Sequence, residues 1–181
     1  GGVVVNGMSS LSRSGPFSNS ALVVAVRPAD FDTNGPLAGI SFQRRWEEAA
    51  FVAGGGDYYA PAQNLMSFLA RGAWSLRSTV RPGVRDADLS EVLPPFVTKG
   101  LRKALPLFDR KMKGFVSSEA VLTGVETRTS SPLRILRGED GQSLSHKGLY
   151  PAGEGAGYAG GIVSAPLEGL EAGKQIVEKS H

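Results

Sequence analysis

The 181-residue sequence has no cysteine. That excludes disulfides, thiolate-held zinc, iron–sulfur clusters and a cysteine nucleophile, and it leaves the redox compartment unassigned. Histidine is nearly as scarce, with only His146 and the terminal His181. A lone histidine beside Lys147 reads as an exposed loop residue rather than a base or ligand, so no metal site is expected. No run approaches the roughly 18 consecutive apolar residues of a membrane helix, and no secretory or transit segment is evident, so the chain reads as soluble. An initiator methionine is also missing. The opening Gly1-Gly2-Val3-Val4-Val5 reads as a chain cut from something longer.

What is present suits a packed core. Hydrophobic residues make up 41%, beside 24 glycines and 11 prolines, which fits one domain, or a domain plus part of another, and excludes global disorder. The net charge is +3. Most of the excess falls between Lys99 and Lys113, where Arg102, Lys103, Arg110 and Lys111 join them against Asp109 alone. This reads as the solvated face of one helix. No aromatic residues interleave with the cations and no nucleic-acid module accompanies them, so nucleic acid is not an expected partner.

Along the chain, 21–26 is a short apolar run stopped by Arg27-Pro28, expected as a buried strand. Helical spacing covers 37–53, with Leu37, Ile40, Trp46, Ala50 and Ala53 on one side and Gly54-Gly55-Gly56 ending it. A second helix is expected over 61–69, with Pro61 near its start. A third runs from Pro94-Pro95 through Phe108, with a kink or early end at Pro106. Strands are expected over 121–127, 133–136 and 148–151, a turn at 138–141, and a last helix over about 160–179. Trp46 and Trp74 read as core or interface residues, and Tyr58-Tyr59 remains ambiguous.

The sharpest feature is Gly148-Leu-Tyr-Pro-Ala-Gly-Glu-Gly-Ala-Gly-Tyr-Ala-Gly-Gly-Ile162. Glycines there allow close backbone approach to a ligand, and free amides before a helix attract negative charge. Gly155 to Gly160 matches the spacing G-x-G-x-x-G. That motif must open a βαβ unit with an acidic strand end about 20 residues on; here one helix closes the chain, so the match is a decoy. Gly169 to Lys174 fails as a P-loop, because its glycines are too close and Gln175 stands where Ser or Thr is needed.

The order strand–Gly153-Glu154-Gly155–helix resembles the C-terminal flavin motif of two-dinucleotide-fold flavoproteins. Asn6-Gly-Met-Ser9, Asn19-Ser-Ala-Leu22, Leu93-Pro-Pro-Phe96, Thr123-Gly-Val-Glu-Thr-Arg-Thr-Ser-Ser-Pro132 and 148–162 follow in the same order as in uncharacterised FAD-dependent proteins often labelled NAD(FAD)-utilising dehydrogenases. The chain is similar to their C-terminal region over nearly its whole length, and Gly1-Gly2 resembles the tail of their Cys-Pro-Gly-Gly motif.

The resemblance implies an α/β, Rossmann-like FAD-binding fragment. Residues 1–140 would be an inserted substrate-side region, and 141–181 a strand and helix completing the FAD-binding domain. It implies an FAD-dependent oxidoreductase, with NAD(P) suggested by the family label alone. Glu154 would accept from the ribityl chain, and Gly153, Gly155, Gly157, Tyr158, Ala159, Gly160, Gly161 and Ile162 would supply backbone around the flavin. Arg128, Thr129 and Ser130 would face the substrate or the flavin; equally, Glu126 and Arg128 pair locally on one strand face. No residue is assigned as catalytic.

Ala152 stands where many bacterial members have Cys, which removes a thiol from that position. Pro166 in the last helix fits only within its first turn. Expected partners are the N-terminal part of the same protein or a larger complex, and a small-molecule substrate. The compartment would be cytoplasmic for a bacterial source, with a plastid for a plant or alga. One charge-assisted hydrogen bond contributes about 1.5–3 kcal/mol and a helix terminus about 0.3–1, against about 8 kcal/mol for micromolar binding. The fragment alone is therefore not expected to hold FAD firmly. The alternative is a non-catalytic scaffold derived from the same fold.

Overall fold

A computed structural model describes residues 1–8, 11–32, 34–70, 72 and 75–179. Ser9, Trp74 and His181 lie outside the described residues. The chain forms two compact units, one of Gly1–Asp30 and Phe42–Thr127, the other of Phe31–Ser41 and Arg128–His181. Among the described residues the regular elements are α1 (Ala38–Ala53), β1 (Ala60–Asn64), α2 (Leu65–Phe68), β2 (Val84–Asp86), α3 (Pro95–Lys111), β3 (Val121–Thr123) and α4 (Ser164–Lys179). The architecture is mixed α/β. No helix among them is long and apolar enough to cross a membrane.

The sheet belongs to the first unit, in the order β2-β1-β3, with β1 parallel to β2 and antiparallel to β3. Its centre corrects the first half of the helix expected over 61–69: Pro61 sits in the middle strand, and only Leu65–Phe68 is helical. Proline lacks the donor a central strand needs, but Pro61 falls where the β3 ladder ends. Its carbonyl still takes the Gly124 amide at 3.0 Å, so one bond at the ladder's end is all that is lost. Asn64 then stops the strand and starts α2, its side chain accepting from the Met66 amide at 2.8 Å and donating to the Ser118 carbonyl at 2.7 Å. Buried at 1% exposure, it satisfies groups that would otherwise be orphaned.

The core of this unit gathers Leu65, Phe68, Leu89, Val92, Leu101, Leu105 and Val125. Helix α3 supplies Leu101 and Leu105 at four-residue spacing and begins with Pro95 at its first position, where the missing N–H costs nothing. It does not end at Pro106 but continues to Lys111. The strand expected at 21–26 is absent. Leu22 and Val24 pack on the core while Val23 and Val26 are exposed, so the segment keeps strand-like alternation without a ladder partner.

In the second unit, neither 133–136 nor 148–151 joins a ladder, and the one bridge among the described residues is Arg137 with Ser143. Gly148 takes a left-handed φ of 82° and Pro151 cannot donate, which breaks any strand there. The 133–136 segment spends its bonds elsewhere. The Ile135 amide donates to the Ala156 carbonyl at 3.0 Å, and the Leu136 carbonyl accepts from the Leu144 amide at 3.0 Å. The last helix starts at Ser164 rather than 160, which puts Pro166 in the first turn.

Candidate functional site

The candidate residues lie in the second unit, on a glycine-rich turn between the 133–137 segment and α4. Glu154 to Ala156 form one 3-10 turn, flanked by Gly153 at φ 72° and Gly157 at φ 83°. Both backbones occupy the region that disfavours side chains. Gly157 also presses on its neighbour: an added Cβ would lie 2.1 Å from the Leu133 carbonyl oxygen and 2.7 Å from the Arg134 Cα.

Glu168, one turn into α4, organises this turn. Its Oε2 accepts from the Gly153 amide at 2.9 Å. Arg137 reaches its Oε1 at 3.3 Å and donates to the Pro151 carbonyl at 2.6 Å. The Tyr158 ring lies beneath the Arg137 and Arg134 guanidiniums, at 3.8 and 4.8 Å, and its hydroxyl donates to the Ile135 carbonyl at 3.0 Å. Arg134 Nε donates to the Gly157 carbonyl at 2.8 Å. The turn is thus pinned from both sides by arginines and by one carboxylate.

The Gly153 amide bond, chiefly, holds the Glu168 carboxyl below its ordinary value near 4.5; Ala159 and Arg137 add to it, against desolvation. A depressed carboxylate stabilises the fold above its unfolded pKa and loses that effect as pH falls through the folded value. Protection of the Gly153 amide, its exchange measured against the intrinsic rate at each pH, should therefore persist from neutral pH down past the ordinary glutamate range and be lost only below it. Glu168→Gln should lower that protection at neutral pH and converge with the native chain at strongly acidic pH. Loss of protection at mildly acidic pH in the native chain would contradict this arrangement.

The residues singled out from sequence divide into two groups. The Gly153 amide is taken by Glu168, those of Gly157 and Tyr158 by the carbonyls of Glu154 and Gly153, and that of Gly161 by the Ser164 hydroxyl. The amides of Gly160 and Ile162 have no partner among the described residues, and Ile162 is 95% exposed. Glu154 is exposed, and its carboxylate likewise has no partner among the described residues. It lies against Gly160, where an added Cβ would sit 3.4 Å from the carboxyl carbon. Gly155 has open space around its Cα.

Arg128, Thr129 and Ser130 are exposed. Their neighbour Ser131 reaches the turn, its Oγ donating to the Leu133 carbonyl at 3.0 Å and lying 3.4 Å from the Gly155 carbonyl. The two long sequence blocks therefore meet. The block's other end is anchored in the first unit, where the Thr127 hydroxyl donates to the buried Glu47 at 2.7 Å and its carbonyl accepts from Gln43 at 2.8 Å. Sequence reasoning passed over Glu168 and Arg137, and helical spacing puts Glu47 among the water-facing residues of α1, where the structure buries it. The available signal for Glu168 was a carboxylate early in a helix that follows a glycine-rich loop, placed to reach back to loop amides.

Residues 1–129 match the family described as "FAD-dependent protein, C-terminal domain-like". The chain belongs to this family. A relative from Clostridium beijerinckii (strain ATCC 51743 / NCIMB 8052), named "Uncharacterized protein", is 44% identical over 183 residues, covering 99% of this chain and 34% of its own length. The chain therefore spans about a third of that relative. The family match covers the first unit and ends beside Arg128, whereas the likeness to the clostridial protein runs on through the glycine-rich turn and α4.

The donor and acceptor set on this turn is chemically compatible with FAD. A ribityl chain offers hydroxyl donors, which an exposed carboxylate such as that of Glu154 accepts. A flavin ring edge offers carbonyl acceptors, which open amides such as those of Gly160 and Ile162 bond.

Proposed function

We propose that this domain supplies the flavin-facing corner of an FAD-dependent oxidoreductase. In this reading Glu154 accepts from the ribityl hydroxyls, Gly160 and Ile162 donate to the ring edge, and the remaining glycines let backbone approach closely. The observation that carries the reading is the contrast within one turn. Four amides are tied down internally, while the Glu154 carboxylate, the Gly160 amide beside it and the Ile162 amide are left open. FAD, when bound, supplies the redox chemistry. The chain's own contribution is to hold it, through a turn already rigid before binding.

Arg128, Thr129 and Ser130, next to the Ser131 contact with Gly155, offer donors to an anionic substrate group or to the flavin. Residues 1–140 serve as the substrate-side region, and 141–181 complete the FAD-binding domain. The surface of α4 supports the last assignment. None of its side chains is buried, and Val163, Leu167, Leu170 and Val177, spaced along one face, are each more than half exposed. The two-thirds of the family's longer chain with no counterpart here is the natural cover for that stripe. A nicotinamide donor forms no part of this reading.

The test is to purify the long form, with this domain joined to the rest of its chain, beside the 181-residue chain. The long form should carry flavin absorption bands, and the 181-residue chain should bind FAD more weakly than about 10 μM. A colourless long form without affinity for FAD would overturn the reading.

A further inference from the structure

We propose that residues 21–26 form an open strand that pairs with a β-strand from the part of the longer family chain that has no counterpart here. The run Ala21-Leu-Val-Val-Ala-Val26 is apolar at every position. A strand with one face in water alternates apolar and polar residues, whereas a strand covered on both faces reads as a continuous apolar run. The structure covers one face only. Leu22 and Val24 pack on the core, Val24 against Gly100 of α3. On the other face Val23 is 69% exposed, with Ala21 and Ala25 exposed on either side of it.

The backbone is open as well. None of the amides or carbonyls of 21–26 has a hydrogen-bond partner among the described residues. The segment is nevertheless held at both ends. Before it, the Asn19 side-chain amide donates to the Met8 carbonyl at 3.1 Å; after it, the Arg27 amide donates to the Asp30 carboxylate at 2.7 Å. Between these anchors no charge or proline interrupts the run. Proteins blunt an exposed strand edge by keeping it short or by placing charges on it. The edge strand β2 does both, with three residues of which Arg85 and Asp86 are exposed. The longer 21–26 run has neither protection and is of the type that pairs with whatever strand it meets.

What is unsatisfied is a row of main-chain donors and acceptors, and the partner that fits such a row is another extended strand. Main-chain bonds supply its affinity and alternate apolar side chains its register. Its source follows from length. The chain spans 34% of the clostridial relative, so two-thirds of that protein is available to provide it. Pairing of 21–26 with itself in a second copy accounts for this run alone. The rest of the longer chain accounts for it and for the open apolar stripe of α4. The inference does not depend on the flavin reading.

Residue-resolved hydrogen exchange of the long form tests this. Successive residues of a strand direct their amides to opposite edges, so pairing along one edge protects every second amide of 21–26 and pairing along both protects all of them. Expected is slowing of at least every second amide by about a hundredfold or more relative to the intrinsic rate. In the 181-residue chain the same amides should exchange near the intrinsic rate at every concentration. Val23→Lys, which places a charge on the open face, should lower the protection in the long form about tenfold or more, while the α3 amides keep theirs. Amides of 21–26 that exchange freely in the long form would overturn the proposal. Protection that grows with concentration in the 181-residue chain would also overturn it, by giving the run to a second copy. None of these readouts uses a flavin signal, so a colourless long form leaves the test intact.

Discussion

Truncating Phe68 to alanine is expected to destabilise the first unit by about 3–5 kcal/mol. The side chain is fully buried, packed among Leu65, Leu89, Val92 and Leu105 at the end of a single-turn helix. A four-residue helix has little stability of its own, so α2 stays in place because Phe68 fills the core beneath it. The loss compares with the whole stability of a marginal domain, about 5–15 kcal/mol. Urea unfolding followed by far-ultraviolet circular dichroism should show the midpoint falling by a large fraction of its native value. A loss under about 1 kcal/mol would mean the core collapses around the gap more readily than this packing allows.

The second large effect is expected at Gly157. Its left-handed backbone costs an alanine about 1–2 kcal/mol. The added carbon would also meet the Leu133 carbonyl and the Arg134 Cα, at 2.1 and 2.7 Å, both backbone atoms that cannot swing aside. Gly157→Ala should therefore cost the second unit about 2–4 kcal/mol and disturb the turn that presents Glu154. Gly155→Ala is the matched control. No neighbour lies within 4 Å of its added carbon, so its effect should stay within about 0.5 kcal/mol. Urea unfolding of the two variants reads the difference, and equal losses would contradict the close packing at Gly157.

Much of the helical structure was legible, because helices announce themselves locally. The apolar spacing and glycine stop of α1, the Pro95 start of α3 and the run that becomes α4 all lie in the sequence itself. Of the strands only β3 was, and it is shorter than the expected 121–127. Pro61 reads as a helix start, and only the end of the β3 ladder, 60 residues away, makes it tolerable in a central strand. Leu22 and Val24 alternate as a strand does, but nothing pairs with them. The glycine-rich turn before the last helix was legible, but its contact with the block ending in Ser131 was not. What the motif could not reveal is the division of labour between two glutamates. Glu154 carries the visible motif, whereas Glu168 holds the turn, through an amide whose proximity exists only once the chain has folded back from α4.

The central claim is that the open carboxylate on this turn grips a flavin, and its most direct test is the FAD dissociation constant of the long form with and without Glu154→Ala. Loss of a charge-assisted hydrogen bond should raise that constant about tenfold or more, with Glu154→Gln intermediate and Gly155→Ala close to native. An unchanged constant in the alanine variant would contradict the account and return the domain to the alternative of a scaffold that kept the family's shape without its cofactor contact.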